Sequence, residues 1–235
     1  VIRGVPQVLH PKFVVDPRDK AVLFSDMNAA ADWTNIGTGG TNTFTTAALN
    51  NDGNRVGVLD SATAASATAS AGIGNATTDA IVFGTREHRM SCTLKIPVLS
   101  TAAQTFTVNV GFHDVRTAAL PTDGVYFSYS HGSAAGNWTA MSYASGGTLT
   151  TATDTGVAAD TGWHTFEVIV NKAASVALFY IDGVLKATRS TAATDSIPTG
   201  TGQATAVTAM IVKSVGTTAR SVYIDQLLLE IDVQR

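Results

Sequence analysis

Between Arg89 and Ile96 the chain alternates strictly: Met90, Cys92, Leu94 and Ile96 are apolar, whereas Arg89, Ser91, Thr93 and Lys95 are polar. A period of two marks a strand with one face in a core, so Cys92 is expected to point inward as a small hydrophobe. Residues 105–114, TFTVNVGFHD, repeat the pattern, with Phe106, Val108, Val110 and Phe112 inward and Thr105, Thr107, Asn109 and His113 outward. Both strands are expected to keep one wet face, as antiparallel strands commonly do. Further strand-like runs follow at 124–131, 136–144, 163–171, 175–182, 206–214 and 220–232, separated by Gly, Asp, Ser and Asn turns. Many strands at this spacing, with no amphipathic helix of useful length, predict an all-β sandwich of two packed antiparallel sheets.

Within Trp163–Val170 the alternation puts His164, Phe166, Val168 and Val170 on one face and Trp163, Thr165, Glu167 and Ile169 on the other. Asp182-Gly183 has the composition of a type I′ turn, in which both central residues take positive φ, and would join two strands as a hairpin. His164, at the start of its strand, is read as a structural or strand-end histidine rather than a catalytic one.

The N-terminus reads differently. Pro6, Pro11 and Pro17 each fix their own φ and push the preceding residue towards extended geometry, so residues 1–23 are expected to form an extended arm ahead of a single domain over residues 24–235. The runs Val8-Leu9 and Phe13-Val14-Val15 suit an arm lying on a surface; the alternative is a first edge strand behind a frayed terminus. Asp26 is a candidate N-cap for a short helical turn through residues 27–33. Residues 61–79, rich in Ala, Ser, Thr and Gly, are read as packed strand and loops.

Composition narrows the function classes. The chain has 235 residues, 45% of them hydrophobic and only 14% charged, which is far from the signature of disorder. Lys and Arg total 15 against 18 Asp and Glu, a formal net charge of -3 without a basic run, so no nucleic-acid partner is expected. The single cysteine, Cys92, precludes an internal disulfide framework and any multi-cysteine metal site. No apolar stretch reaches the roughly 20 residues that span a bilayer, and no membrane insertion is expected. The sequons at Asn75 and Asn137 are read as chance occurrences in a Thr- and Ser-rich chain.

The run from Trp163 to Lys186, with Gly-Trp-His-Thr-Phe, a strand ending at Asn171 and then Phe-Tyr-Ile-Asp-Gly-Val-Leu, resembles the signature of laminin-G-like, concanavalin A-like jelly rolls. The wider block, roughly residues 80 to 232, is similar to a jelly-roll module of tailed-bacteriophage virion proteins. The resemblance implies a jelly-roll β-sandwich of the concanavalin A-like lectin/glucanase type and is nearly silent on activity.

Some members of that superfamily are glycoside hydrolases, which need two carboxylates flanking the scissile bond. The glutamates Glu87, Glu167 and Glu230 stand apart in sequence, and Glu167 is read as an exposed strand charge. Ser130-His131 lacks the turn and helix of a nucleophile elbow. Asp114, Asp123 and Asp154 could help ligate Ca²⁺, as in some laminin-G-like domains, but show no tight multi-Asp spacing. Tyr126, Trp138 and Tyr143 are candidates for an aromatic sugar platform, with core or rim packing the favoured reading for Tyr126 and Trp138.

These readings lead to an expectation of a non-enzymatic bacteriophage virion structural protein, without cofactor or metal. It would be displayed on the particle as a capsid decoration anchored by its arm, and would contact other virion proteins or neighbouring copies as a homo-oligomer. The alternative is a tail-fibre or spike domain that binds host-surface glycans.

Overall fold

The computed structural model describes residues 20–27, 33–45, 55, 57–75, 79–114, 116–117, 120–145, 152–193 and 195–233. Among the described residues fifteen strands form two antiparallel sheets. One sheet contains β1 (Lys20–Ser25), β3 (Thr41–Thr45), β4 (Val58–Ala62), β6 (His88–Lys95), β11 (Trp163–Val170), β12 (Val176–Ile181), β13 (Val184–Ser190) and β15 (Ser221–Asp232). Its order is β13-β12-β11-β6-β15-β4-β3, and β1 pairs with the far half of β15. The other contains β2 (Thr34–Ile36), β5 (Ser70–Gly74), β7 (Phe106–His113), β8 (Gly124–Ser130), β9 (Asn137–Tyr143), β10 (Thr153–Ala158) and β14 (Ala206–Lys213), in the order β10-β9-β8-β7-β14-β5-β2. We call these the β6 sheet and the β7 sheet.

The period-two residues of both sheets meet in one core. Met90, Cys92 and Leu94 from β6 and Phe166, Val168 and Val170 from β11 face Phe106, Val108, Val110 and Phe112 of β7, all at most 1% exposed. Aromatic rings fill the centre: Trp138 packs at a tilt against Phe166 at 4.4 Å, and Phe127 meets Phe166 and Phe179 edge-on at 5.2 Å each. Edge-to-face pairs of this kind add to the gain from area burial alone. The hairpin forms as its sequence requires: Ile181 pairs with Val184 across Asp182 and Gly183, whose φ values are 52° and 76°.

Two expectations are corrected. Residues 20–23, assigned to the arm, are part of β1 and hydrogen-bond to β15 over the register Lys20 to Asp232 through Leu23 to Leu229, while residues 1–19 lie outside the described residues. β7 does not keep a wet face: Thr107, Asn109 and His113 do turn away from the core, yet they are 6%, 0% and 0% exposed. Period two fixes the face a side chain is on; burial also depends on what lies above that face, which alternation does not encode. Most of the helical turn expected after Asp26 lies outside the described residues; at its start, the Ser25 hydroxyl accepts from the Met27 amide at 3.1 Å. The stretch 61–79 contributes the end of β4 and all of β5.

Candidate functional site

The outward face of the β7 sheet is built from residues two apart on each strand. One row runs Ile36, Gly72, Met210, Asn109, Ser128, Thr139, Asp154, strand by strand. The next runs Thr34, Gly74, Thr208, Gly111, Tyr126, Met141. Glycine at 111 is required, because a Cβ there would sit 2.5 Å from the Tyr126 Cα and its φ is +148°. Ile36, Met210 and Val212 form a small apolar cluster at one side. The centre is polar and holds no Asp, Glu, Lys or Arg: Thr208 hydrogen-bonds His113 Nε2, and the His113 ring meets Tyr126 edge-on at 5.4 Å. Tyr126 is 0% exposed, and its hydroxyl has no hydrogen-bond partner among the described residues. Burial first, and then the Asp114 charge, push its pKa up, so it stays a neutral phenol.

The outward face of the β6 sheet is different in kind. Arg89 donates to Glu167 at 2.7 Å and to Glu230 at 3.0 Å, and Lys20 reaches Glu230 at 3.4 Å. Thus Glu167 is half-buried and ion-paired, not a free strand charge, and two glutamates 63 positions apart by number (230 less 167) share one guanidinium. Further along, a row crosses the sheet as Trp163, Lys95, Tyr223, Asp60, Thr43. The Arg55 guanidinium lies 4.0 Å from the Trp163 ring centroid and also pairs with Asp225. Asp60 Oδ1 is buried without a hydrogen-bond partner among the described residues, and burial raises its carboxyl pKa. Sequence reasoning missed this row. Trp163 and Tyr223 are 60 positions apart by number (223 less 163), and only strand order brings them within two strands of each other.

The other candidates separate. Trp138 is core, 2% exposed between the sheets, whereas Tyr126 and Tyr143 lie on the outward face of the β7 sheet, so the three make no common platform. Asp114 accepts from the Thr122 and Asp123 amides at 3.0 and 2.9 Å, and Asp123 accepts from the Ser145 amide at 2.6 Å. Asp154 is held elsewhere, by Asn137 at 3.0 Å, so the three aspartates do not converge on one cation. Among the described residues no group of three His, Cys, Asp or Glu side chains is placed to hold a metal ion. His131 is exposed in the turn after β8. Cys92 is a free, buried thiol, its pKa raised by burial.

His164 is clamped between two carboxylates, Asp182 at 2.7 Å on Nδ1 and Asp160 at 3.0 Å on Nε2. Asp182 also accepts from the Thr165 amide at 2.9 Å, and Asp160 from the Gly162 amide at 2.6 Å. Burial alone would lower the His164 pKa, but the two carboxylates outweigh it and hold it above the usual imidazole range. Both ring nitrogens are occupied, so the imidazole ties the turn before β11 to the β12–β13 hairpin and has no nitrogen left for proton transfer to a substrate.

A family model described as SO2946-like, C-terminal domain, matches residues 54–225. The chain belongs to this family. The solved SO2946 protein of Shewanella oneidensis MR-1, described as of unknown function, superposes with a TM-score of 0.66 at 16% identity, covering 92% of this chain and 89% of that one. An endo-1,3-beta-glucanase from Streptomyces sioyaensis superposes at 0.56 with 15% identity, over 92% and 98% of the two chains. A carbohydrate esterase from the Shiga toxin-encoding bacteriophage phi24B gives 0.53 and 17%, over 86% and 90%. At these identities the likeness shows the fold, a concanavalin A-like lectin/glucanase jelly roll. No curated protein matches the chain.

Proposed function

We propose that this SO2946-like domain is a non-enzymatic module displayed on a virion, attached through the segment ahead of β1 to the shell or to neighbouring copies. The observation that carries the non-enzymatic part is the fate of the carboxylates. Glu167 and Glu230 share Arg89, Asp195 holds Arg189 at 3.1 Å, Asp79 holds Arg116, Asp225 holds Arg55, and Asp160 and Asp182 hold His164. Asp114, Asp123 and Asp154 accept from backbone amides. A glycosidase-type pair needs one carboxyl able to donate a proton and another free to attack or to activate water, and carboxylates held in this way suit neither role. Asp60, with a buried unpartnered oxygen and a pKa raised by burial, is the exception, and none of the carboxylates above is free to be its partner. The fold shared with a phage protein, and the resemblance of residues 80–232 to virion jelly rolls, support the particle setting.

A second reading, glycan binding, is favoured by the Trp163–Tyr223 row with Lys95, Asp60 and Thr43 beside it; Arg55 covers one face of Trp163, which leaves the Tyr223 ring flanked by hydrogen-bonding groups as the sugar platform. The test is to measure binding of the intact chain, and of a chain lacking residues 1–19, to undecorated capsids and to host cells side by side. Capsid binding lost with the N-terminal segment is the expected result. Cell binding that survives its removal would put the glycan reading first.

A further inference from the structure

At one end of the sandwich, residues 79–87 cross from the β7 sheet to the β6 sheet, bridged to Thr205 through Ile81 on one side and to Asp232 through Glu87 on the other. Beneath the crossing lies a half-open groove of about 250 Å³, lined by Ala80, Ile81, Val82 and Ile231 together with Thr85, Arg86 and His88. That is smaller than the roughly 300–1,000 Å³ of pockets for drug-sized ligands, and suits one small ring.

His88 makes the groove chemically specific. Its side chain is 96% buried (4% exposed) and its ring meets Phe83 edge-on at 5.1 Å and Phe112 at 6.4 Å, which fixes the orientation of the imidazole. Nδ1 lies 3.0 Å from the Arg86 carbonyl. A carbonyl only accepts, so Nδ1 carries the proton, and in the neutral ring Nε2 is left as an acceptor. Burial lowers the His88 pKa, which keeps the ring neutral at ordinary pH. Among the described residues Nε2 has no hydrogen-bond partner, and the ring lines the groove. The groove thus combines one acceptor of fixed tautomer, the adjacent Arg86 cation, the Thr85 hydroxyl and four aliphatic residues.

We propose that this groove binds a single sugar acid, a hexuronate, either free or as a terminal unit of a surface polysaccharide. A ring hydroxyl donates to His88 Nε2, the carboxylate pairs with Arg86, and the C–H face of the pyranose lies on Ile81, Val82 and Ile231. A neutral sugar lacks the carboxylate, and a simple carboxylate lacks the hydroxyl and the apolar face, so each uses only part of the site. The groove is separate from the Trp163 row and does not depend on capsid attachment. It rests on the glycan reading only for the sugar's source.

The experiment is a titration of the intact chain with glucuronate, methyl glucoside and acetate, followed by NMR of the His88 imidazole and of the Ile81, Val82 and Ile231 methyls. Expected is saturable perturbation of these signals by glucuronate in the millimolar range, at least about tenfold tighter than either control, one such factor corresponding to 1.4 kcal/mol. Arg86→Gln, at an exposed position, should weaken glucuronate about tenfold while the fold is retained, and His88→Phe should abolish saturation. Equal binding of acetate and glucuronate would overturn the sugar assignment, and no saturable change at these groups would overturn the site. If glucuronate binds here but host cells do not bind the chain, the groove stands and the cell-surface source fails.

Discussion

The outward faces of β6 and β7 are written in the same period and are used in opposite ways. On β6, Arg89 bridges Glu167 and Glu230, and the face is laced with ions. On β7 and its neighbour β14, the residues in the same outward position are Thr107, Asn109, His113, Thr208 and Met210, none of them Asp, Glu, Lys or Arg and none more than 6% exposed. On β6 each of these charges has an opposite partner, even Glu230, which is 4% exposed, so pairing offsets the cost of desolvation. On the other side a charge would have to be desolvated, so the chain uses hydroxyls, an amide, an imidazole and a thioether. Alternation therefore identifies the core face of a strand reliably, and leaves the character of its other face to be set by the surroundings.

The comparison can be broken first at the core that the two faces share. Phe166→Ala removes the ring that meets both Trp138 and Phe127 and should cost about 3 to 5 kcal/mol in denaturant unfolding. A near-neutral result would mean that the faces of β11 are reversed. Next, Met210→Lys would bury an unpaired ammonium on the β7 sheet and should cost about 3 kcal/mol or more. Tyr180→Lys on the β6 sheet sets an ammonium opposite Glu167 and should cost under about 1 kcal/mol. Similar losses from these two variants would erase the distinction between the faces. Gly183→Val strains the hairpin at φ +76° and should cost about 1 to 2 kcal/mol, with the change readable as a lower midpoint at unchanged slope.

The smallest effect is pH-dependent. His164 has a raised pKa in the folded state, so its contribution is complete below the unfolded value of about 6.5 and disappears as pH rises through the folded one. Asp160 has a lowered pKa, from the Gly162 amide and then His164, so its contribution is present above about 3.9 and disappears as pH falls through its folded value. Stability from this clamp should therefore be greatest between about pH 4 and 6.5. In urea unfolding, His164→Gln should be more destabilised at pH 5.5 than at pH 8.5; an equal loss at both would remove the clamp as the cause.

What the chain reveals before folding follows from how local each feature is. The β11 faces, the inward Cys92 and the Asp182-Gly183 turn depend on neighbours within a few residues, and all three are as read. The Arg89 bridge, the Trp163–Tyr223 row and the His88 groove each join segments more than fifty positions apart, so no spacing could reveal them. The expected wet face of β7 failed for the same reason. The aspartate set dissolved because each loop carboxylate is taken by amides of its own or a neighbouring turn, a local use that Asp, Ser and Thr commonly serve.

If the ion-paired carboxylates are structural, the double variant Glu167→Gln with Glu230→Gln shows it when compared with the unaltered chain for unfolding and for binding to capsids and cells. Lower stability is expected, because Arg89 is left without a counter-charge, with binding unchanged. Unchanged stability together with loss of a carbohydrate-directed activity would contradict it.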